Sequence, residues 1–301
     1  MRIGRIATLS DRGRRRIRNE DAFVADSPLF AVADGMGGAQ AGELASRLAA
    51  TALAEWDRGA SGETGVAELV QTANERVYER ARVDPAAAGM GTTVTVALFD
   101  PGSEAITVGH VGDSRAYRIR GAALEQLTAD HSLVAELVRS GRLTPEEAAE
   151  HPHRSVITRV LGTEPNVDVD TFSVEAESGD LYLLCSDGLT GMVDDGEILA
   201  LADAAGRAPD AVARTLVDAA NRAGGEDNIT VVVFEIVEGE PEPEREEETV
   251  GEPTAVSAVE QAAAPPVSRR GAGKGGRALA ILGLLLVLAA GALIVWWSIR
   301  R

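Results

Sequence analysis

Apolar residues along this chain follow two rhythms. Short alternating or continuous apolar runs, closed by turn residues, occupy 3–9, 29–34, 91–99, 104–111, 115–120, 167–174, 180–186 and 228–237, and each predicts a strand. Longer stretches with apolar positions at helical spacing lie at 41–57, 64–82, 132–140, 194–203 and 208–223, and predict helices. The helical stretches come mostly in pairs between strand runs, so the pattern predicts packed sheets flanked by helices.

Both rhythms stop near residue 238. Residues 238–277 contain EGEPEPEREEE (238–248), TAVSAVEQAAAPPVS (254–268) and RRGAGKGGR (269–277). Such a Glu-, Pro-, Ala- and Gly-rich segment buries too little apolar surface to order itself and predicts a linker. At ~5–6 Å × √n its root-mean-square span is roughly 35 Å, more if the glutamates repel one another. Residues 278–297, ALAILGLLLVLAAGALIVWW, carry no charge. At ~1.5 Å per residue they reach across about 30 Å of hydrocarbon and predict one transmembrane helix, with Trp296 and Trp297 at an interface and 298–301 as a short basic tail. Four basic residues precede the span and two follow it, which places the body, residues 1–237, in the cytoplasm by the positive-inside rule. The expected location is therefore the cell membrane, single-pass. The N-terminal stretch MRIGRIATLSDRGRRR lacks the apolar core of a secretory signal, consistent with that orientation.

Composition narrows the function. The chain carries a formal charge of −18. Residues 238–260 contribute −8 of it and the six basic residues from Arg269 onward contribute +6, which leaves −16 on the body. So acidic a body is a poor partner for nucleic acid and a good collector of cations. Aromatic residues make up only 4%, so the core must rest on Val, Leu, Ile and Ala. Cys185 is the only cysteine, which excludes an intrachain disulfide. It is followed by SDGLTG rather than a phosphate loop closed by arginine, so a cysteine phosphatase is not indicated. DGMGG fails the dinucleotide pattern GxGxxG at Gln40, and no GxxxxGK is present for a nucleoside triphosphate.

Acidic residues stand at strand ends beside glycines: Glu20 and Asp21, Asp34 before Gly35, Asp113, Asp187 before Gly188, and Asp227. A carboxylate closing an apolar strand such as LFAVAD or LYLLCSD is costly near a core unless a cation or donor compensates it. Several together imply a divalent metal, and oxygen-only ligands select Mg2+ or Mn2+ over Zn2+. Glycines at 35, 37, 38 and 188 allow close backbone approach, so a main-chain carbonyl can join the ligands.

The ordered words NED (19–21), DGMGG (34–38), GTT (91–93), GDSR (112–115), LTADHS (127–132), ITRVLG (157–162), CSDGL (185–189) and EDNITVVV (226–233) cover nearly the whole body. Taken together they resemble the bacterial metal-dependent (type 2C, PPM) serine/threonine protein phosphatases. The resemblance implies an α+β fold, a four-layer αββα sandwich of two antiparallel sheets flanked by helices, with a metal site at its rim. It makes Asp34 the ligand bridging two Mn2+ or Mg2+ ions, places Asp187 and Asp227 on one ion, and puts the Gly35 carbonyl on the other. Glu20 and Asp21 hold that second ion mainly through water, Asp113 with Asp187 holds a possible third, and Arg16 holds the substrate phosphate. Arg12, Arg14, Arg15 and Arg18 crowd the same stretch, where a plain basic surface is the competing reading.

Two ions ~3.5–4 Å apart acidify a bridging water and neutralise phosphate charge, with no covalent enzyme intermediate. The sequence departs from the family at the proton donor: Met36 and Ala39 stand where members often carry His. His110, His131 and His153 are substitutes in principle, with metal-bound water the preferred acid. Residues 130–165 match the family's variable flap beside the active site and are expected to shape substrate choice. The expected function is hydrolysis of phosphoserine and phosphothreonine on proteins, opposing membrane serine/threonine kinases and acting on their substrates. A catalytically inactive, membrane-tethered phosphoprotein-binding module is the alternative, which loss of metal ligands would mark. A phosphatase for a sigma-factor regulator is a nearer alternative, although that branch usually carries sensor domains and none is visible.

Overall fold

The continuous apolar runs become inner strands because a strand covered on both faces has no polar side to show. LFAVADGM forms β3 (Leu29–Met36), VTVALFD forms β5 (Val94–Asp100), LYLLC forms β10 (Leu181–Cys185) and ITVVVFEIV forms β11 (Ile229–Val237). Around them lie β1 (Arg2–Asp11), β2 (Asp21–Asp26), β4 (Gly91–Thr92), β6 (Ala105–Val111), β7 (Arg115–Arg120), β8 (Ala123–Gln126) and β9 (Asp170–Glu175). The computed structural model describes residues 1–37, 41–56, 59, 61–149 and 151–239, all within a unit spanning Met1–Glu244.

Two antiparallel sheets result. One has the order β1-β11-β10-β7-β8, and the other β2-β3-β5-β6-β9 with β4 paired to β3. Between them Phe30, Val108, Tyr182, Leu184, Val232 and Phe234 form a central apolar layer. Phe30 stacks on Phe234 at 4.0 Å and Tyr182 on Phe234 at 5.2 Å, so several of the scarce aromatics sit where the sheets meet. Helices α1 (Ala41–Ala54) and α2 (Gly62–Val83) cover the second sheet through Ala45, Ala49, Leu53, Val66, Val70 and Val77. On the far side of the first sheet, helices α6 (Asp195–Ala204) and α7 (Pro209–Ala223) pack Ile198, Val212, Leu216 and Val217 against Leu183 and Val231. The four layers are helices, sheet, sheet, helices, as the resemblance implied. Small helices α3 (Leu133–Arg139), α4 (Pro145–Ala149) and α5 (Asp187–Thr190) and a 3-10 turn at Pro85–Ala87 complete the described elements.

Register gathers the acidic strand ends. Asp21 faces Asp34, Val94 faces Val111, and Cys185 faces both Arg115 and Val231. The residues just beyond those positions therefore meet at one edge of the sandwich.

Several expectations need correction. The strand expected over 91–99 is divided, because Gly91 and Thr92 pair with Met36 and Gly35 while β5 starts only at Val94. That expected over 167–174 starts later, at Asp170. Strands β2 and β8 went unpredicted: both are edge strands, and charged or exposed positions such as Phe23 and Glu125 interrupt their apolar signal. Among the described residues no helix is long and apolar enough to cross a membrane. The expected span at 278–297, its linker beyond residue 239 and the tail 298–301 lie outside the described residues.

Candidate metal centre

The edge is built from five chain segments. Arg16 and Glu20 come from the loop after β1, Asp21 opens β2, and Asp34 and Gly35 lie in β3. Asp113 sits in the turn between β6 and β7, Asp187 opens α5 after β10, and Asp227 precedes β11. The structure brings all of these together. Asp34 feels the charges of Asp21, Asp187, Asp113 and Asp227, and Arg16 feels those of Asp227, Glu20 and Asp34.

Burial dominates their chemistry. It drives the carboxyl of Asp21 up to about 7, with the charges of Asp187 and Asp227 adding and bonds from Thr230 and Ser186 opposing. Burial also takes Asp113 up to about 7, helped by Asp187 and Asp130. Asp34 is raised well above the carboxylate range by burial and its four acidic neighbours. Asp187 is raised by burial and by Asp227, with partial relief from a hydrogen bond with Asp34 and from Arg16 and Arg115.

Three buried carboxylate oxygens at this edge, Oδ1 of Asp21, of Asp113 and of Asp187, have no hydrogen-bond partner. Orphaned buried oxygens and upward-driven carboxyls are what a divalent cation would relieve, and the all-oxygen donor set suits Mg2+ or Mn2+. The residues present therefore fit the implied ions. They do not form a closed cage: among the described residues no three Asp, Glu, His or Cys side chains converge tightly on one point. Such an open rim suits ligands that act partly through water.

The backbone around Asp34 is held from both sides. Its N–H donates to Thr93 Oγ1 at 3.0 Å, and its carbonyl accepts from Thr92 Oγ1 at 2.8 Å and Thr93 N at 2.9 Å. Gly35 N donates to the Glu20 carbonyl at 3.1 Å, and a Cβ at Gly35 would collide with the Gly42 carbonyl. A Cβ at Gly42 would in turn lie 2.6 Å from Glu20 Oε2 and 2.8 Å from the Gly35 carbonyl oxygen. Glycine at 42 thus keeps open the space between two expected ligands, a role the sequence reading missed.

Asn228 was missed too. Its Oδ1 accepts from Glu20 N at 2.7 Å, while its Nδ2 donates to the carbonyls of Arg12 at 3.0 Å and Arg18 at 2.8 Å. It thereby closes the arginine loop onto β11. Ser186 donates to Asp21 Oδ2 at 2.8 Å. EDN and CSDG were legible as words, but nothing in the spacing says whom those side chains meet across roughly 165 to 210 residues.

Of the clustered arginines, Arg16 reaches the acids, donating from Nη2 to Asp227 Oδ2 at 2.6 Å. His110 is buried, bonded to Thr95 Oγ1 at 2.9 Å and pushed down to about 4 by burial. His131 Nδ1 accepts from Gly112 N at 3.0 Å, its Nε2 lies 3.1 Å from Asp170 Oδ2, and burial lowers its pKa. His153 is exposed beside His151. Met36 is exposed at the end of β3, and Ala39 lies outside the described residues. Cys185 is fully buried, and burial pushes its thiol up to about 12, which removes it as a nucleophile. A cleft of about 620 Å3 runs from Asp113 and Asp187 to Val134, Val138 and Arg154 of the 130–165 segment.

The family described as Stage II sporulation protein E (SpoIIE) matches residues 25–237. The serine/threonine protein phosphatase PstP of Mycobacterium tuberculosis is 44% identical over 239 residues, which are 78% of this chain. The match spans 45% of that relative's length. The serine/threonine phosphatase stp of Listeria monocytogenes is 39% identical over 238 residues, covering 75% of this chain and 93% of that one. Among solved structures, the catalytic domain of PstP in complex with two manganese ions superposes with a TM-score of 0.70 at 41% identity, over 78% of this chain and 99% of that one.

Proposed function

The chain belongs to the bacterial metal-dependent (type 2C, PPM) serine/threonine protein phosphatases, and from that premise we propose that it hydrolyses phosphoserine and phosphothreonine on proteins. The observation that carries this reading is the set of buried, orphaned carboxylate oxygens gathered at one edge, beside an arginine already aimed at Asp227. Asp34, Asp187 and Asp227, with Asp113, Glu20, Asp21 and the Gly35 carbonyl, would hold Mn2+ or Mg2+. Two ions are the expected core set and Asp113 is the residue for a third. When bound, the ions supply an acidified water and neutralise charge on the phosphoryl oxygens.

The chain's own residues do the rest. Arg16 spends one amino group on Asp227 and keeps its other donors for two phosphate oxygens, fixing the group for in-line attack. Asp227 holds that guanidinium in place. Asn228 sets the depth of the loop by bonding its two ends. The buried thiol of Cys185 takes no part, so phosphate passes to water without an enzyme ester. His110 and His131 are tied to Thr95, Gly112 and Asp170 and His153 stands exposed beside His151, so solvent in the cleft is the proposed proton source for the departing alkoxide.

The span at 278–297 supports single-pass tethering with residues 1–237 cytoplasmic, and tethering raises local concentration around other membrane proteins. Membrane serine/threonine kinases and their substrates are therefore the proposed targets. Removing residues 278–301 should leave hydrolysis of soluble peptides unchanged and slow that of a membrane kinase; equal rates with both forms would remove the tethering proposal. The function itself is tested by phosphate release from a phosphothreonine peptide by residues 1–240, with and without Mn2+. Activity should require metal and vanish in Asp34→Asn and Asp187→Asn, whereas no activity under any metal would favour a binding module.

A further inference from the structure

The loop between β1 and β2 carries RGRRRIR over residues 12–18, five arginines on a body that is otherwise strongly acidic. Three of them have acidic partners: Arg14 lies 3.8 Å from Asp11, Arg16 is 2.6 Å from Asp227, and Arg18 is 3.5 Å from Glu43. Arg12 and Arg15 are exposed, and among the described residues neither has a carboxylate within ion-pair distance. Ile17 stands out between Arg16 and Arg18 at 88% exposure.

The backbone of this loop is itself fixed. The N–H groups of Arg14 and Arg15 donate to the Gly225 carbonyl at 2.7 and 3.2 Å, and Gly13 N donates to Asp11 Oδ1 at 2.8 Å. Asn228 fastens the carbonyls of Arg12 and Arg18. The guanidinium groups therefore project from a fixed frame, which lowers the ordering cost of binding. Resting on the phosphatase reading, we propose that Arg12 and Arg15, with Ile17, form a docking strip that selects phosphoprotein segments bearing further acidic or phosphorylated residues near the scissile phosphate.

A body with this excess of carboxylates repels an acidic polypeptide over about a Debye length, ~8 Å at physiological ionic strength. Only a local cation surplus beside the site offsets that repulsion, and free guanidinium forks match carboxylates and phosphates two oxygens at a time. Arg15 adjoins Arg16 in sequence, so charges one to three residues from the phosphorylated residue fall within its reach. The chain's own glutamate-rich 238–260 segment is the competing occupant, and its docking would inhibit rather than select.

The test uses the full chain in detergent micelles with Mn2+ and three phosphothreonine peptides of equal length, flanked by Glu, Ala or Lys. Two exposed charge pairs at ~0.7 kcal/mol each predict about a tenfold higher kcat/KM for the Glu-flanked peptide than for the Ala-flanked one at low salt, mainly through KM. In the Arg12→Gln/Arg15→Gln variant that preference should fall to about twofold or less, with hydrolysis of a small aryl phosphate unchanged. Equal kcat/KM for all flanks in the parent protein, or a preference that survives in the variant, overturns the proposal. A variant that speeds every peptide alike also overturns it, because the strip would then be holding the chain's own acidic segment. Phosphonate analogues of the same peptides, followed by fluorescence anisotropy, read the strip without turnover, so a flank preference in Kd supports it even if the aryl phosphate is not hydrolysed and the phosphatase reading fails. A flank-independent Kd overturns it.

Discussion

Strand β10 has an aspartate just outside each end, and the two live in opposite surroundings. Asp180, at one end, is 1% exposed and fully answered: Arg120 donates to its two oxygens at 2.7 and 2.6 Å, and Glu177 N donates at 2.9 Å. Asp187, at the other end, has a buried Oδ1 with no partner and acidic neighbours in Asp34 and Asp227. Both flank the same apolar strand: Asp180 follows a turn and leads into it, and Asp187 opens α5 just past its other end. A buried charge that the protein compensates itself is structural, whereas one left uncompensated among like charges is a site shaped for a cation.

Asp187→Asn should lower Mn2+-dependent phosphate release by about 10^3-fold, on the scale of losing a central electrostatic group, while Asp180→Asn should leave kcat within about twofold. Comparable losses in both would mean that the two ends of β10 are not distinct. Next in size is the response to metal. Mn2+ at a hundred times its Kd should stabilise the parent protein by about 2.7 kcal/mol and the Asp187→Asn variant by much less, read as shifts in the urea midpoint.

The pH dependence has a definite sign. Asp21 and Asp113 have folded pKa values raised to about 7, against an ordinary value of 3.8. Their contribution to stability is therefore fully present below about pH 4 and is lost as pH rises through about 7. In the metal-free protein that loss should appear as a falling urea midpoint between about pH 5 and 7, flattened in Asp21→Asn; Mn2+ should reverse the trend, because it binds the ionised form. A flat metal-free profile that Asp21→Asn leaves unaltered would contradict the burial argument.

At the far end, Asp180→Asn should cost about 2 kcal/mol, below the full value for breaking a buried pair because Arg120 is nearly one-third exposed and solvent recovers part of the loss. The smallest effect belongs to Tyr182→Phe, whose hydroxyl reaches Asp180 Oδ2 only at 3.4 Å; it should cost less than about 0.5 kcal/mol by thermal unfolding. A loss above 2 kcal/mol would show that Asp180 depends on that hydroxyl.

Much of this was legible in the residues. The apolar runs located β3, β10 and β11, and acids beside glycines marked Asp34, Asp187 and Asp227 as unusual without any knowledge of their neighbours. Edge strands β2 and β8 were not legible, because a strand paired on one side can be short and half polar. Asn228, Ser186 and Gly42 were also invisible as site residues: a side-chain amide, a hydroxyl and a missing Cβ announce nothing until the partner arrives from another segment.

What the sequence by itself determined was the alternation that makes two buried sheets, the helical spacing that covers them, and the choice of oxygen ligands in an acidic chain. Those are local properties, set by side-chain chemistry and by periods of two and 3.6 residues. Only the tertiary structure decided which buried aspartate found an arginine. Asp180 met Arg120 from sixty residues away, Asp187 met other acids, and Arg16 rather than its four neighbours met Asp227. The reason is physical: the cost of a buried charge depends on what stands within a few ångströms, and strand register rather than sequence proximity sets those neighbours.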